Sequence, residues 1–286
     1  MFKFGVDTFI WAEAFSEKHL WIIPKAKELG FEVLDIFISN ADTFPTQKVK
    51  EKVKEVGIEV VTTTTLNEKT NLVSTDPTIR ANGVMNMKKV VDINVALGSK
   101  INGGVNYAAW GYLSGKPRTE SEWEWSITGM KEIAKYAKEK GDVVICVEPV
   151  NRFETHFLNI AEDAVRYCRD VGTSNVKVHL DSFHMIREET SFRDAVLTCG
   201  KEYLGYVHVC ENNRGIPGTG LVPWKDFFVA LKDIGYIGPL VIESFDPSFE
   251  DLNRQCAIWR KLAESGEALA IQGLKHLKNV AKEIGE

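Results

Sequence analysis

The stretch AKYAKEKGDVVICVE, Ala134–Glu148, decides how this chain is read. Its first half is rich in Lys and amphipathic, Gly141 interrupts it, and Val143 to Val147 is an unbroken apolar run. A helix that stops at a glycine in the left-handed conformation, followed by a β-branched strand covered on both faces, accounts for that order. The run then ends on a carboxylate, Glu148, and Pro149 withholds the backbone donor that a central strand would need to continue.

The same phrase recurs in Pro24–Ile38, Val49–Thr65, Val90–Val105, Tyr167–Asp181 and Ala230–Ser244, each with a glycine at the joint. With Lys3–Thr8 and Tyr203–Glu211 added, eight strand candidates alternate with helical segments, and no Pro/Ser-rich linker or low-complexity tract divides them. Alternation of this kind implies parallel strands, and about 250 residues is the ordinary size of a closed (β/α)8 TIM barrel. The expectation is an α/β fold, one barrel domain over residues 1–286, whose last helix runs from about Asp251 to Ile284 with a break near Gly266. A doubly wound open sheet is the competitor; it is disfavoured because no GxGxxG turn follows the first strand and no Walker-type loop occurs.

Composition bounds the function. A chain of 286 residues with 44% hydrophobic content can bury a large core, and a net charge of -5 with scattered Lys and Arg offers no basic stripe for nucleic acid or an anionic membrane. No run reaches the eighteen or so apolar residues of a membrane span. The opening MFKFGVDTFIWAEAF carries Asp7 and Glu13 and reads as a first strand and loop rather than a signal peptide. Five widely spaced cysteines without a CxxC pair argue against a disulfide framework or a zinc ribbon and point to a reducing cytoplasm.

In a barrel of this type the chemistry belongs at the C-terminal strand ends. Four consecutive strands end alike: the fifth at Glu148, the sixth at Asp181, the seventh near His208 and the eighth at Glu243, separated by 33, 27 and 35 residues. Neighbouring strands lie about 4.8 Å apart, so four such side chains can converge. Three crowded carboxylates repel unless a cation sits among them, and carboxylate oxygens with one imidazole suit an octahedral Mn2+, Co2+ or Mg2+. Singly, each acid could be a helix cap or an ion-pair partner, and His208 a hydrogen-bonded core histidine, as His179 is expected to be. His19, His156 and His276 fall on expected helix or loop surface.

The segments Glu148–Asn159 (EPVNRFETHFLN), His179–Glu189 (HLDSFHMIREE), Val207–Trp224 (VHVCENNRGIPGTGLVPW) and Val241–Phe245 (VIESF) together resemble the D-tagatose 3-epimerase and D-psicose 3-epimerase family of ketose epimerases. Phe4–Phe15, Asn71–Arg80 and Asn106–Gly111 also look like loops of that family, so the resemblance spans nearly the whole chain. It implies a xylose isomerase-like barrel. It makes Glu148, Asp181, His208 and Glu243 the ligands of one divalent ion, Mn2+ or Co2+ before Mg2+, with Glu148 and Glu243 doubling as the acid/base pair. It matches Glu154, His184 and Arg214 to residues that hold a ketose around O1 to O3, with Trp11, Trp110 and Phe245 as apolar walls. It also implies a homodimer or homotetramer.

The implied reaction is C3 epimerisation of a free ketohexose or ketopentose through a cis-enediolate, since no glycine loop or Lys/Arg cluster for a phosphate accompanies the final strands. Ile186, Arg187 and His156 depart from the family's usual residues and bear on sugar preference. Competing readings are an aldose–ketose or hydroxypyruvate isomerase on the same site, a non-catalytic sugar-binding protein, and a DNA repair endonuclease. The last is disfavoured by the acidic chain and the small number of histidines in candidate loops.

Overall fold

In the computed structural model, which describes residues 2–246 and 248–286, eight parallel strands close into a barrel in chain order. They are β1 Lys3–Asp7, β2 Val33–Phe37, β3 Glu59–Thr63, β4 Ile101–Gly103, β5 Val144–Val147, β6 Val176–Asp181, β7 Leu204–His208 and β8 Pro239–Ile242. β8 returns to β1, with Val6 opposite Ile242, so the sheet has no free edge. The helices are α1 Ile22–Glu28, α2 Thr46–Val56, α3 Pro77–Leu97, α4 Glu120–Gly141, α5 Ala161–Val171, α6 Ser182–Glu188, α7 Phe192–Tyr203, α8 Trp224–Asp233, α9 Glu250–Cys256 and α10 Gly266–Glu283.

Beside a small apolar cluster of Phe9, Phe245, Leu252 and Ile258, two apolar cores follow from the closed sheet. The larger fills the space between the strands and the surrounding helices; the smaller, Val33, Val61, Cys146, Tyr206 and Val241, lies inside the barrel. Strands buried on both faces explain why their sequences are runs rather than alternations. Gly103 serves the interior directly: a Cβ there would stand 2.8 Å from the Tyr206 ring and 2.9 Å from Nδ1 of His179. The absent side chain makes room for two rings that support the site.

Five of the six joint glycines, Gly30, Gly57, Gly98, Gly172 and Gly235, have positive φ, as the punctuation predicts. The sixth corrects the reading of the opening stretch. Asp142 takes the left-handed position after α4, with φ 55, and Gly141 stays in the helix. Its added Cβ would meet Val95 Cγ2 at 2.7 Å, so this glycine permits close packing of α4 on α3. The last helix is two: α9 stops at Cys256, and α10 begins only at Gly266, where the Ser265 hydroxyl accepts from the Ala268 N–H.

Candidate active site

Each of the four strand-end residues occupies the C-terminal rim. Asp181 closes β6 and also caps α6: Oδ1 accepts from the Phe183 N–H at 2.8 Å, which leaves Oδ2 for the barrel mouth. Capping and site roles are thus carried by different oxygens of one carboxyl. His208 is the last residue of β7, and Glu148 and Glu243 directly follow β5 and β8. Ligand atoms of Asp181, His208, Cys210 and Glu243 lie within 4.8 Å of one another, as do those of Glu148, Asp181 and His184, and those of Glu148, His179 and His208.

Of these groups Glu148, His184, His208 and Glu243 line a cavity of about 440 Å³, together with Glu154 and Arg214, whereas Asp181, His179 and Cys210 are not part of its wall. Its apolar side is Phe9, Phe37, Trp110, Phe183 and Phe245. A larger hollow of about 860 Å³ adjoins it across Phe245, between the chain after β8 and residues 258–266, but holds none of the clustered buried acids. The chemistry belongs to the smaller one.

The charges in the site are strongly coupled. Burial, then Glu243 and Asp181, push the Glu148 carboxyl well above its ordinary range, although His208 opposes them. Burial also acts upward on Glu243, but Arg214 and His208 outweigh it and bring that carboxyl to about 2. Nη1 of Arg214 lies 2.7 Å from both Asp181 Oδ2 and Glu243 Oε2. The guanidinium is packed over the rings of Phe183 and Phe245, 3.9 and 5.2 Å from their centres. Arg214 reaches this place from a left-handed backbone, φ 60, strained for a residue with a Cβ.

Hydrogen bonds assign the histidines. Nδ1 of His184 receives the Asn151 backbone N–H at 3.1 Å, so its hydrogen sits on Nε2, 3.6 Å from Glu148 Oε1. Burial lowers its proton affinity, so the ring is a neutral donor into the cavity. Arg214 Nη2, 3.5 Å from that nitrogen, is a second donor beside it. His208 is oriented the other way: Nε2 faces Asp35 Oδ2 at 3.1 Å, and Nδ1 faces Glu243 Oε2 at 3.5 Å with no hydrogen-bond partner.

Glu154 is held by two donors, Trp110 Nε1 and Asn151 Nδ2, each at 2.7 Å. The simple alternative, a pair with Arg152, does not form, because Arg152 is bound to Glu188. Trp110 and Phe245 line the cavity, whereas Trp11 packs against the larger core and Phe9 faces the cavity in its place. His156 is not a surface residue: its Nε2 lies 3.2 Å from Glu122 Oε1 and the side chain is largely buried. His179 is a buried core histidine, yet its Nδ1 comes within 3.5 Å of Glu148.

Two other acids of the site are not singled out by the sequence analysis. Asp35, inside β2, accepts from Tyr206, Thr63 and His208 across the barrel interior. Glu211 accepts the backbone N–H groups of Asn212, Gly218 and Val222 and the indole of Trp224, which winds the loop that carries Arg214. An acid within an apolar strand, and one just beyond a strand end, were the available signals.

The donor set fits a divalent ion. Nδ1 of His208 has no hydrogen-bond partner, and the buried Glu148 and Asp181 and the partly buried Glu243 lie close together with, among the described residues, the guanidinium of Arg214 bridging Asp181 and Glu243. Cys210 also reaches the Asp181, His208 and Glu243 group, but its soft sulfur matches a hard oxygen-seeking ion poorly. Without it, Asp181, His208 and Glu243 form one possible donor group, and Glu148 stands with Asp181 and His184 or with His179 and His208 in the others, all oxygen and imidazole donors.

A closed parallel barrel with acids and an imidazole gathered at its C-terminal mouth is the architecture of metal-assisted sugar isomerases. The chain belongs to the xylose isomerase-like TIM barrels, whose family model matches residues 23–280, and within them to the ketose 3-epimerases. It is 31% identical over 265 residues to the D-psicose 3-epimerase of Agrobacterium fabrum, with 91% of each chain covered. It is 33% identical to the L-ribulose 3-epimerase of Methylomonas sp., over 94% of this chain and 92% of that one. The crystal structure of D-allulose 3-epimerase from Methylomonas sp. in complex with D-allulose superposes with a TM-score of 0.92 at 31% identity, covering 97% and 96%. Among the described residues no helix is long and apolar enough to cross a membrane.

Proposed function

We propose that this chain is a metal-dependent ketose 3-epimerase that inverts C3 of a free ketohexose or ketopentose, interconverting pairs such as D-fructose and D-psicose, D-tagatose and D-sorbose, or ribulose and xylulose. The observation that carries the reading is the placement of Glu148 and Glu243, three strands apart around the ring yet facing one cavity. Two bases on opposite sides of a planar intermediate produce epimerisation, whereas a single base moving a proton between adjacent carbons produces aldose–ketose isomerisation.

Glu148, Asp181, His208 and Glu243 would hold the divalent ion, Mn2+ or Co2+ before Mg2+. When bound, the ion supplies positive charge that stabilises an anion developing on the ketone oxygen. One glutamate takes the C3 proton, the electron pair of that C–H bond becomes the C2–C3 double bond of a cis-enediolate, and the other glutamate returns a proton to C3 from the opposite face. The surroundings of the two glutamates differ: burial acts upward on both, but Arg214 lies 2.7 Å from Glu243 and holds that carboxyl down. His184 Nε2–H and Arg214 are donors to the sugar oxygens, and Glu154, fixed by Trp110 and Asn151, accepts from a hydroxyl. The aromatic wall excludes water from the intermediate.

The test is incubation of the Mn2+-supplemented protein with D-fructose, D-tagatose and D-ribulose in D2O, with products located by NMR. Deuterium at C3 together with the 3-epimer is expected, and its loss in Glu148→Gln and Glu243→Gln. Deuterium at C1 with an aldose product would instead make this an isomerase.

A further inference from the structure

His208 differs from His184 in how its two nitrogens are committed, and the difference originates at a residue outside the cavity wall. Nε2 of His208 lies 3.1 Å from Asp35 Oδ2. A carboxylate accepts and cannot donate, so that nitrogen carries a hydrogen and Nδ1 is left as the one turned to the cavity. With the hydrogen on Nδ1 instead, two lone pairs would face each other at 3.1 Å in a dry interior, a costly arrangement.

Asp35 is itself immobilised. Tyr206 O–H donates to the same Oδ2 at 2.5 Å and Thr63 O–H donates to Oδ1 at 3.1 Å. Asp35, Tyr206, Thr63 and His208 are all buried, and they come from β2, β3 and β7, so the contact spans the barrel interior rather than one sheet edge. Asp7, opposite Asp35 in the β1–β2 register, makes no hydrogen bond to this network, since its Oδ1 accepts the Phe9 N–H and its Oδ2 has no hydrogen-bond partner, although burial and the neighbouring Asp35 push its carboxyl well up.

We propose that Asp35 is the positioning residue that keeps the proton on Nε2 of His208 and so presents Nδ1, beside Glu243, as the coordinating nitrogen. The proposal rests on the metal reading above. It assigns Asp35 no contact with substrate: its effect passes through one imidazole. Tyr206 and Thr63 hold the carboxylate in the plane where that effect is exerted.

The experiment uses the full chain with 15N-labelled histidine, loaded with Zn2+ as a diamagnetic probe, and reads the His208 tautomer by long-range 1H–15N correlation. Mn2+ affinity is measured in parallel from the EPR signal of the free ion. The wild type should show the hydrogen on Nε2. Asp35→Asn should lose roughly 10- to 100-fold in Mn2+ affinity, the usual cost of removing such an outer partner. Tyr206→Phe, which removes one of the two hydroxyls that hold Asp35 but leaves its carboxylate on His208, should keep the Nε2–H tautomer and lose less Mn2+ affinity than Asp35→Asn. A hydrogen on Nδ1 in the wild type overturns the proposal, and does so even if Asp35→Asn does not fold. Unchanged Mn2+ affinity in a folded Asp35→Asn overturns it while sparing the metal reading, whereas a wild type that binds no Mn2+ overturns both.

Discussion

Nη1 of Arg214 lies 2.7 Å from Oδ2 of Asp181, the oxygen left over after Oδ1 has capped α6. The same nitrogen is 2.7 Å from Glu243, so one organic cation bridges the ends of β6 and β8. A planar fork that is also stacked between two rings is poorly replaced by an ammonium. Arg214→Lys should lower kcat/KM for the preferred ketose by roughly 10- to 100-fold, about 1.4–2.7 kcal/mol, with thermal stability little changed. Steady-state kinetics beside a melting curve check this.

The conformation of Arg214 depends on Glu211, whose two oxygens each receive two N–H groups from the loop that follows β7. Glu211→Gln turns an NH2 toward donors and leaves one or more of them unsatisfied, at a cost of about 1–3 kcal/mol. The expected result is a lower Cm in urea together with a raised KM, because the loop no longer holds Arg214 at positive φ.

Metal should stabilise the fold by mass action. At about 100 times its dissociation constant a bound ion adds about 2.7 kcal/mol, so Mn2+ should raise Tm by several degrees and EDTA should reverse the rise. Asp181→Asn should remove the Mn2+-dependent part of Tm, and a rise that survives in this variant would place the ion elsewhere.

Cysteine chemistry should be slow throughout. Cys146, Cys168, Cys199 and Cys210 are buried, and burial pushes their thiols up. Cys256 lines the cavity, but burial raises its thiol to about 12. A thiol-reactive dye at about pH 7.5 should label Cys256 slowly and the others only on unfolding.

Stability should fall on the acid side for an identifiable reason. Burial alone would raise the Glu188 carboxyl, but hydrogen bonds from Arg152 hold it below its ordinary value. A depressed carboxyl stabilises the fold above its unfolded pKa, and that contribution is lost as pH falls through the lower, folded value. Below about pH 4 the Tm of the wild type should therefore approach that of Glu188→Gln, and above about pH 5 the two should diverge.

Much of this protein follows from local chemistry. Glycine joints followed by β-branched runs specify strands buried on both faces, and their repetition specifies the parallel barrel. Glu148, Asp181, His208 and Glu243 were legible because barrel topology maps strand ends onto one rim, whatever the side chains do afterwards. Gly141 shows the limit: its neighbour Asp142 takes the left-handed turn, because packing of α4 against Val95 needs the glycine inside the helix.

Which atom of each residue faces the cavity was decided only in three dimensions. Asp35 reads as an acid inside an apolar strand until β2 and β7 confront each other across the barrel, and its donors Tyr206 and His208 stand 171 and 173 residues further along the chain. Trp11 and Phe9 lie two positions apart on one loop, and the tertiary packing of the larger core took the indole and left the phenyl ring in the cavity. Sequence periodicity determines the elements and the rim they present; the tautomers, the capping oxygen of Asp181 and the bridging position of Arg214 depend on long-range hydrogen bonds that exist only once the sheet has closed.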